Sequence, residues 1–146
     1  HGYMPIVLKA VSMEDYTTWV DEKKLAQAAS KNTSNIVLNM EELMTKGEKV
    51  YKAQCLVCHQ ANGQGLKGAF PSIVGSPVAV EAGNRMRHIQ QIIYGKGLMP
   101  AFGEQLSDVD IASVVSFTRN AWGNNTGDIV QAKEVAEARK APKVIE

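Results

Sequence analysis

The sequence predicts an all-α fold, a small helical domain closed around a covalently held cofactor, with one leftover β-strand and a helix before it and a helix after it. Three observations carry this. Apolar residues recur at helical spacing in three separate stretches of the 146-residue chain. Only Pro5-Ile6-Val7-Leu8-Lys9-Ala10-Val11 is a continuous β-prone run. The only two cysteines stand in Cys55-Leu56-Val57-Cys58-His59, the spacing that attaches a c-type haem.

The strand run comes first in the chain. Without sheet partners it exposes unpaired backbone groups and an apolar face, so its sheet is expected upstream of His1. Ser12 and Asp15 then form a capping box that opens a helix to about Ala29, with Tyr16, Trp19 and Val20 as its single apolar turn. Ser30–Asn35 is polar and reads as a linker. Asn39 caps the next helix, begun at Met40, in which Leu43, Gly47, Val50 and Tyr51 share one face. Gly47 costs about 1 kcal/mol inside a helix, which is consistent with another helix crossing closely there.

That helix delivers the chain into the cysteine motif. Each thiol can form a thioether to a haem vinyl group, and His59 then lies beneath the iron as proximal ligand. A structural zinc site needs four ligands, and only His1 and His88 remain to add to the motif. A thioredoxin-like redox pair needs a βαβ context, which the flanks lack. The glycine-rich Gln60–Gly68 matches neither a P-loop nor a dinucleotide fingerprint and reads as backbone wrapped closely around a flat macrocycle.

Met86, Ile89, Ile92 and Ile93 form an amphipathic helix to Tyr94, ended at Gly95. His88 on it reads as a packing or surface residue rather than a ligand. Ser107 and Asp110 cap a further helix striped by Ile111, Val114, Val115, Thr118 and Trp122. Asp128–Lys140 reads as a charged amphipathic helix with Ile129, Ala132, Val135 and Ala136 on one side. Between Gln60 and Gly103, Lys67, Arg85, Arg87 and Lys96 face only Glu81; they can meet haem propionates, an acidic partner or solvent.

Several of these residues together resemble class I cytochromes c. Gly47 and Tyr51 resemble that family's first helix where it crosses the last. The Met99-Pro100 pair, on a loop after a helix stop, resembles its distal ligand and implies that a soft thioether fills the sixth iron position. Pro71 resembles the residue whose carbonyl accepts a hydrogen bond from the proximal histidine, which implies a fixed and more basic His59. With both axial sites filled the iron can only cycle between ferrous and ferric, so the resemblance implies an electron carrier and no enzyme.

A second resemblance lies at the start. His1-Gly2-Tyr3-Met4-Pro5-Ile6-Val7, followed by Met13–Trp19, is similar to the end of the copper-binding domain of cytochrome c oxidase subunit II. There an H-x-x-M pair ligates the dinuclear copper (CuA) centre. The family's copper cysteines would precede residue 1, so His1 and Met4 are implied ligands of a centre that this chain does not complete. Haem domain after copper domain is the order of caa3-type oxidases. This implies residues 1–11 as a copper-domain remnant, 12–39 as a connecting helix and linker, 40–125 as the haem domain and 126–146 as a helical tail. The implied partners are a reduced cytochrome or other carrier as donor, the CuA domain as acceptor, and the oxygen-reducing subunit beyond it. The alternatives are a stand-alone periplasmic cytochrome c, the haem domain of another redox enzyme, and a haem enzyme or gas sensor with an open distal site.

Balanced charge, Lys+Arg 16 against Asp+Glu 15, gives no indication of nucleic acid. No apolar run approaches the roughly 20 residues of a membrane span. The chain begins with His1, and the expectation is a fragment whose targeting and anchoring segments lie upstream, on the outer face of a bacterial inner membrane.

Overall fold

A computed structural model describes residues 9–31 and 33–145, and of residues 25–31 only the backbone. The expectations for His1, Met4 and most of the strand run fall outside these residues; Lys9 to Ser12 have no regular structure. Among the described residues there are seven α-helices, one 3₁₀ turn at Ala82–Asn84 and no strand. This is the all-α architecture that the sequence predicts.

The chain divides into two compact units, residues 1–30 and 31–146. In the first, α1 spans Met13–Lys31 and starts from Ser12, whose Oγ accepts the Asp15 amide at 3.1 Å. Tyr16 and Trp19 stack with ring centroids 6.2 Å apart, yet both are exposed. The apolar turn therefore stacks on itself instead of being covered.

In the second unit, α2 (Met40–Gln54) begins with a complete capping box: Asn39 Oδ1 accepts from the Glu42 amide, and Glu42 Oε2 accepts from the Asn39 amide. It packs mainly against α6 (Asp108–Asn120), which Ser107 and Asp110 cap in the same way. Gly47 is the reason they can approach. A Cβ there would meet the Ser113 carbonyl and lie 2.6 Å from Phe117 Cβ. We expect Gly47→Ala to cost about 2–3 kcal/mol through overpacking, read as a lower midpoint in denaturant with an unchanged slope. At the same crossing Lys46 Nζ lies 2.6 Å from Asp110 Oδ1. Burial pushes the Asp110 carboxyl up, but its bonds to Lys46 and Ser107 outweigh that and hold it below the usual range.

Short α3 (Leu56–His59) carries the cysteine motif, α4 (Pro77–Val80) follows a long loop, and α5 (Arg85–Tyr94) packs on α6. The core gathers Tyr51, Ile89, Ile92, Ile93, Ile111, Val114, Val115 and Val135. Two helix ends differ from the sequence reading. α6 stops at Asn120, so Trp122 is not on its stripe; with φ 55° it turns back onto Tyr51 and Phe117, centroids 4.8 and 5.1 Å away. The last helix, α7, starts at Ala132, because Asp128 is engaged by Arg119 and Asn120 instead of continuing a helix. Its buried side is Ala132, Val135 and Ala138, not Ile129 and Ala136. It is tied to the start of the unit through Gln131, whose Nε2 donates to the Leu38 carbonyl at 2.8 Å.

Candidate haem site

The cysteine motif is placed by two successive helical turns. Cys55 closes α2 by donating its amide to the Tyr51 carbonyl, and α3 then presents Cys58 and His59 one turn on. Tyr51 holds this corner, its hydroxyl donating to the Gln60 carbonyl at 2.6 Å. Burial first, and the neighbouring Cys55 second, push that phenol up to about 12, so it remains a donor.

Both thiols are free and half-buried. Burial first, then Cys58, push the Cys55 thiol up to about 11. Reactive redox thiols have lowered values, and the direction at Cys55 is the reverse. Among the described residues no three His, Cys, Asp or Glu side chains converge on a metal position.

Beyond His59 the chain folds back on itself. Gly65 donates its amide to the His59 carbonyl at 2.9 Å, and Leu66 and Phe70 exchange backbone bonds. A Cβ on Gly65 (φ 66°) would lie 2.6 Å from the Pro71 carbonyl oxygen, and one on Gly63 (φ 70°) 2.5 Å from the Trp122 ring. These two glycines are thus required by loop closure and Trp122 packing. The closed loop carries Pro71 to His59: its carbonyl oxygen lies 3.0 Å from Nδ1, which makes Nδ1–H the donor and leaves Nε2 with the ring's lone pair.

Across from His59, α5 ends at Gly95 (φ 73°), and a tight turn in which Lys96 and Met99 exchange backbone bonds presents Met99. Cys55, Cys58, His59, Pro71 and Met99 all line one cavity of about 390 Å³, together with Phe70, Leu98, Pro100 and Phe102. An adjoining chamber of about 160 Å³ shares Cys55, His59, Pro71 and Met99. This is the size range of cofactor pockets, about 300–1,000 Å³. Its walls are largely apolar, and its donor set of two thiols, an imidazole and a thioether suits a vinyl-bearing iron macrocycle. The residues fit the group.

The structure adds two residues that the sequence reading passed over or set aside. Gln91, on α5, donates from Nε2 toward Met99 Sδ at 3.8 Å; its position eight residues before the methionine was the only available signal. His88 is buried and borders the inner chamber, so it is not a surface residue. Of the four cations, Arg85 is committed to Glu134 Oε1 at 2.7 Å and to the Ile129 carbonyl, while Lys96 stays at the cavity wall. We expect Gln91→Ala to lower the potential of the haem-loaded protein by about 40 mV. Losing a hydrogen bond that moderates sulfur donation is worth about 1 kcal/mol, and about 1.4 kcal/mol corresponds to 59 mV for one electron. Spectroelectrochemical titration reads it.

Residues 42–117, just over half of the chain, match the family described as subunit III of cbb3-type cytochrome c oxidase. The chain is 38% identical over 92 residues to cytochrome c-552 of Thermus thermophilus, covering 53% of this chain and 69% of the relative. It is 32% identical to cytochrome c6 of Gracilaria tenuistipitata, covering 63% and 85%. It is also 30% identical to the cytochrome c subunit of a quinone-type alcohol dehydrogenase of Gluconobacter oxydans, covering 80% of this chain but only 26% of that subunit. The chain thus spans about a quarter of the length of that larger relative.

Proposed function

Because the chain belongs to the cytochrome c family, we propose that it relays single electrons through one covalent haem c held between His59 and Met99. Cytochrome c domains are electron carriers and are not themselves catalytic. The observation that carries the assignment is the convergence of both thiols, the imidazole and the thioether on one cavity, with His59 Nδ1 directed at the Pro71 carbonyl.

When bound, the haem supplies a reversible one-electron couple. The residues do the rest. Cys55 and Cys58 anchor the macrocycle, and Pro71 holds the His59 ring in its ligating orientation. Met99 offers a soft donor that favours the reduced state. Apolar walls exclude water, which keeps reorganisation small. Exposed Leu98, beside Lys96 in the cavity wall, gives the cavity mouth an apolar edge with a cation next to it, where a redox partner can approach the haem edge.

Two parents are supported by different observations. The relatives include cytochromes c-552 and c6 and cytochrome c subunits of dehydrogenases; these favour a stand-alone carrier or the haem domain of another redox enzyme. Residues 1–19 favour subunit II of a caa3-type oxidase, where His1 and Met4 would ligate CuA and the haem would feed that copper. In that reading residues 1–11 close a copper domain, 12–39 connect, 40–125 hold the haem and 126–146 brace it. Either parent works on the outer face of a bacterial inner membrane, and no helix among the described residues is long and apolar enough to cross it.

The test is the mass and visible spectrum of the purified chain, made with a haem-attachment system, oxidised and reduced. One covalent haem with a low-spin spectrum supports the assignment; a chain without bound haem overturns it. The gene upstream of His1 decides the parent: two cysteines and hydrophobic helices mean the oxidase, a signal peptide ending there means a free carrier.

A further inference from the structure

Helix α7 lies beyond residues 42–117, the part of the chain that matches the family. Its one arginine, Arg139, lays its guanidinium on a loop from elsewhere in the fold. Nη1 donates to the Gly103 carbonyl at 2.8 Å, Nη2 to the Leu106 carbonyl at 3.1 Å and Nε to Asp108 Oδ1 at 2.7 Å. The backbone of the same residue takes the loop's other foot, because the Arg139 carbonyl accepts the Tyr94 hydroxyl at 3.1 Å. Tyr94 and Gly103 bracket the segment 95–102, and that segment presents Met99. One residue thus holds both ends of the methionine loop.

The clamp is itself anchored. Gln90 is fully buried, donates from Nε2 to the Ala138 and Pro142 carbonyls and accepts the Val144 amide, which fixes the chain on both sides of Arg139. A Cβ on Gly103 would lie 3.2 Å from Arg139 Nη1, so the guanidinium rests directly on loop backbone. A planar guanidinium can serve several fixed acceptors at once, which a single ammonium does not match. The segment that it brackets has little cover of its own. Lys96, Gly97, Leu98, Pro100 and Ala101 are exposed, and exposed loops open locally at small cost. How long the Met99 sulfur stays in place therefore depends on what holds the feet of the loop.

We propose that Arg139 is a positioning residue for the distal ligand: it clamps both ends of segment 95–102 and so slows release of the Met99 thioether from the iron. This rests on the reading of Met99 as the sixth ligand.

The test is the rate at which the reduced, haem-loaded protein binds carbon monoxide at saturating gas, where release of Met99 is the slow step. In Arg139→Leu that rate rises by about tenfold, the equivalent of one or two hydrogen bonds lost from the closed loop. In Gly47→Ala, which loosens the α2–α6 crossing instead, it stays at the parent value. An unchanged rate in Arg139→Leu, or an equal rise in Gly47→Ala, overturns the clamp. Should Arg139→Leu not fold, Tyr94→Phe removes one foot alone and keeps the ring. A faster rate there supports the clamp, and an unchanged rate overturns it. Rapid, stoichiometric binding to the parent protein is a separate failure: it takes Met99 off the iron, and the clamp falls with the reading beneath it.

Discussion

Met99→Ala converts a closed haem into an open one: the reduced protein then binds carbon monoxide rapidly and stoichiometrically, and its potential falls by on the order of 0.1–0.3 V. Axial ligands set haem potentials over about 0.8 V, and loss of a thioether removes the donor that favours ferrous iron. Among the described residues that line the cavity, Met99 is the one methionine and His59 the one histidine. Gln91 offers only an amide to the same sulfur, and His88 lies in a chamber behind it. Carbon monoxide titration and spectroelectrochemistry read both effects. An unchanged spectrum and potential would remove Met99 from the iron.

Arg119→Met destabilises the protein by about 3–5 kcal/mol, the usual result of taking one partner from a buried ion pair. The guanidinium is fully buried at the end of α6. It binds Asp128 Oδ2 through two nitrogens at 2.6 and 3.2 Å, and the Val78 and Glu81 carbonyls at 3.3 and 3.2 Å. One side chain therefore joins α6, the loop before α7 and the α4 segment that walls the inner chamber. Methionine fills much of the volume but leaves a carboxylate and two carbonyls without their donor. Chemical denaturation measures the loss. Asp128→Asn, which keeps an acceptor and removes a charge on a group 28% exposed, costs less. A cost under about 1 kcal/mol for Arg119→Met would show that water replaces the guanidinium, contrary to its burial.

Arg119 also marks where sequence reading stopped. Its position on α6 was legible, but its partners lie 38 and 41 residues upstream and nine downstream, in loops without periodicity. His88 escaped for the same reason: only the packing of α5 on α6 shows that it faces a chamber and not solvent. Trp122 was assigned to a helical stripe because Ile111, Val114, Val115 and Thr118 continue to it at regular spacing. The helix ends sooner because Asn124 Nδ2 takes the Thr118 carbonyl at 2.7 Å and the Thr126 amide takes that of Arg119.

What the sequence by itself determined is what neighbours along the chain can specify. Asn39 with Glu42 and Ser107 with Asp110 start helices because a side chain three residues away satisfies an orphan amide. Cys55, Cys58 and His59 are legible as a proposed haem attachment because two thioethers and an iron bond ask for that local spacing. Gly47 announced a helix crossing because its cost inside a helix calls for a compensating contact. Only the tertiary structure decided what the crossing meets, the Ser113 carbonyl and Phe117, and why Gly63 and Gly65 are glycines, through Trp122 and the Pro71 carbonyl. It alone placed Gln91 against the Met99 sulfur and His88 beside the inner chamber. Those contacts depend on how helices and loops pack, and the spacing of residues within any one segment carries no record of that.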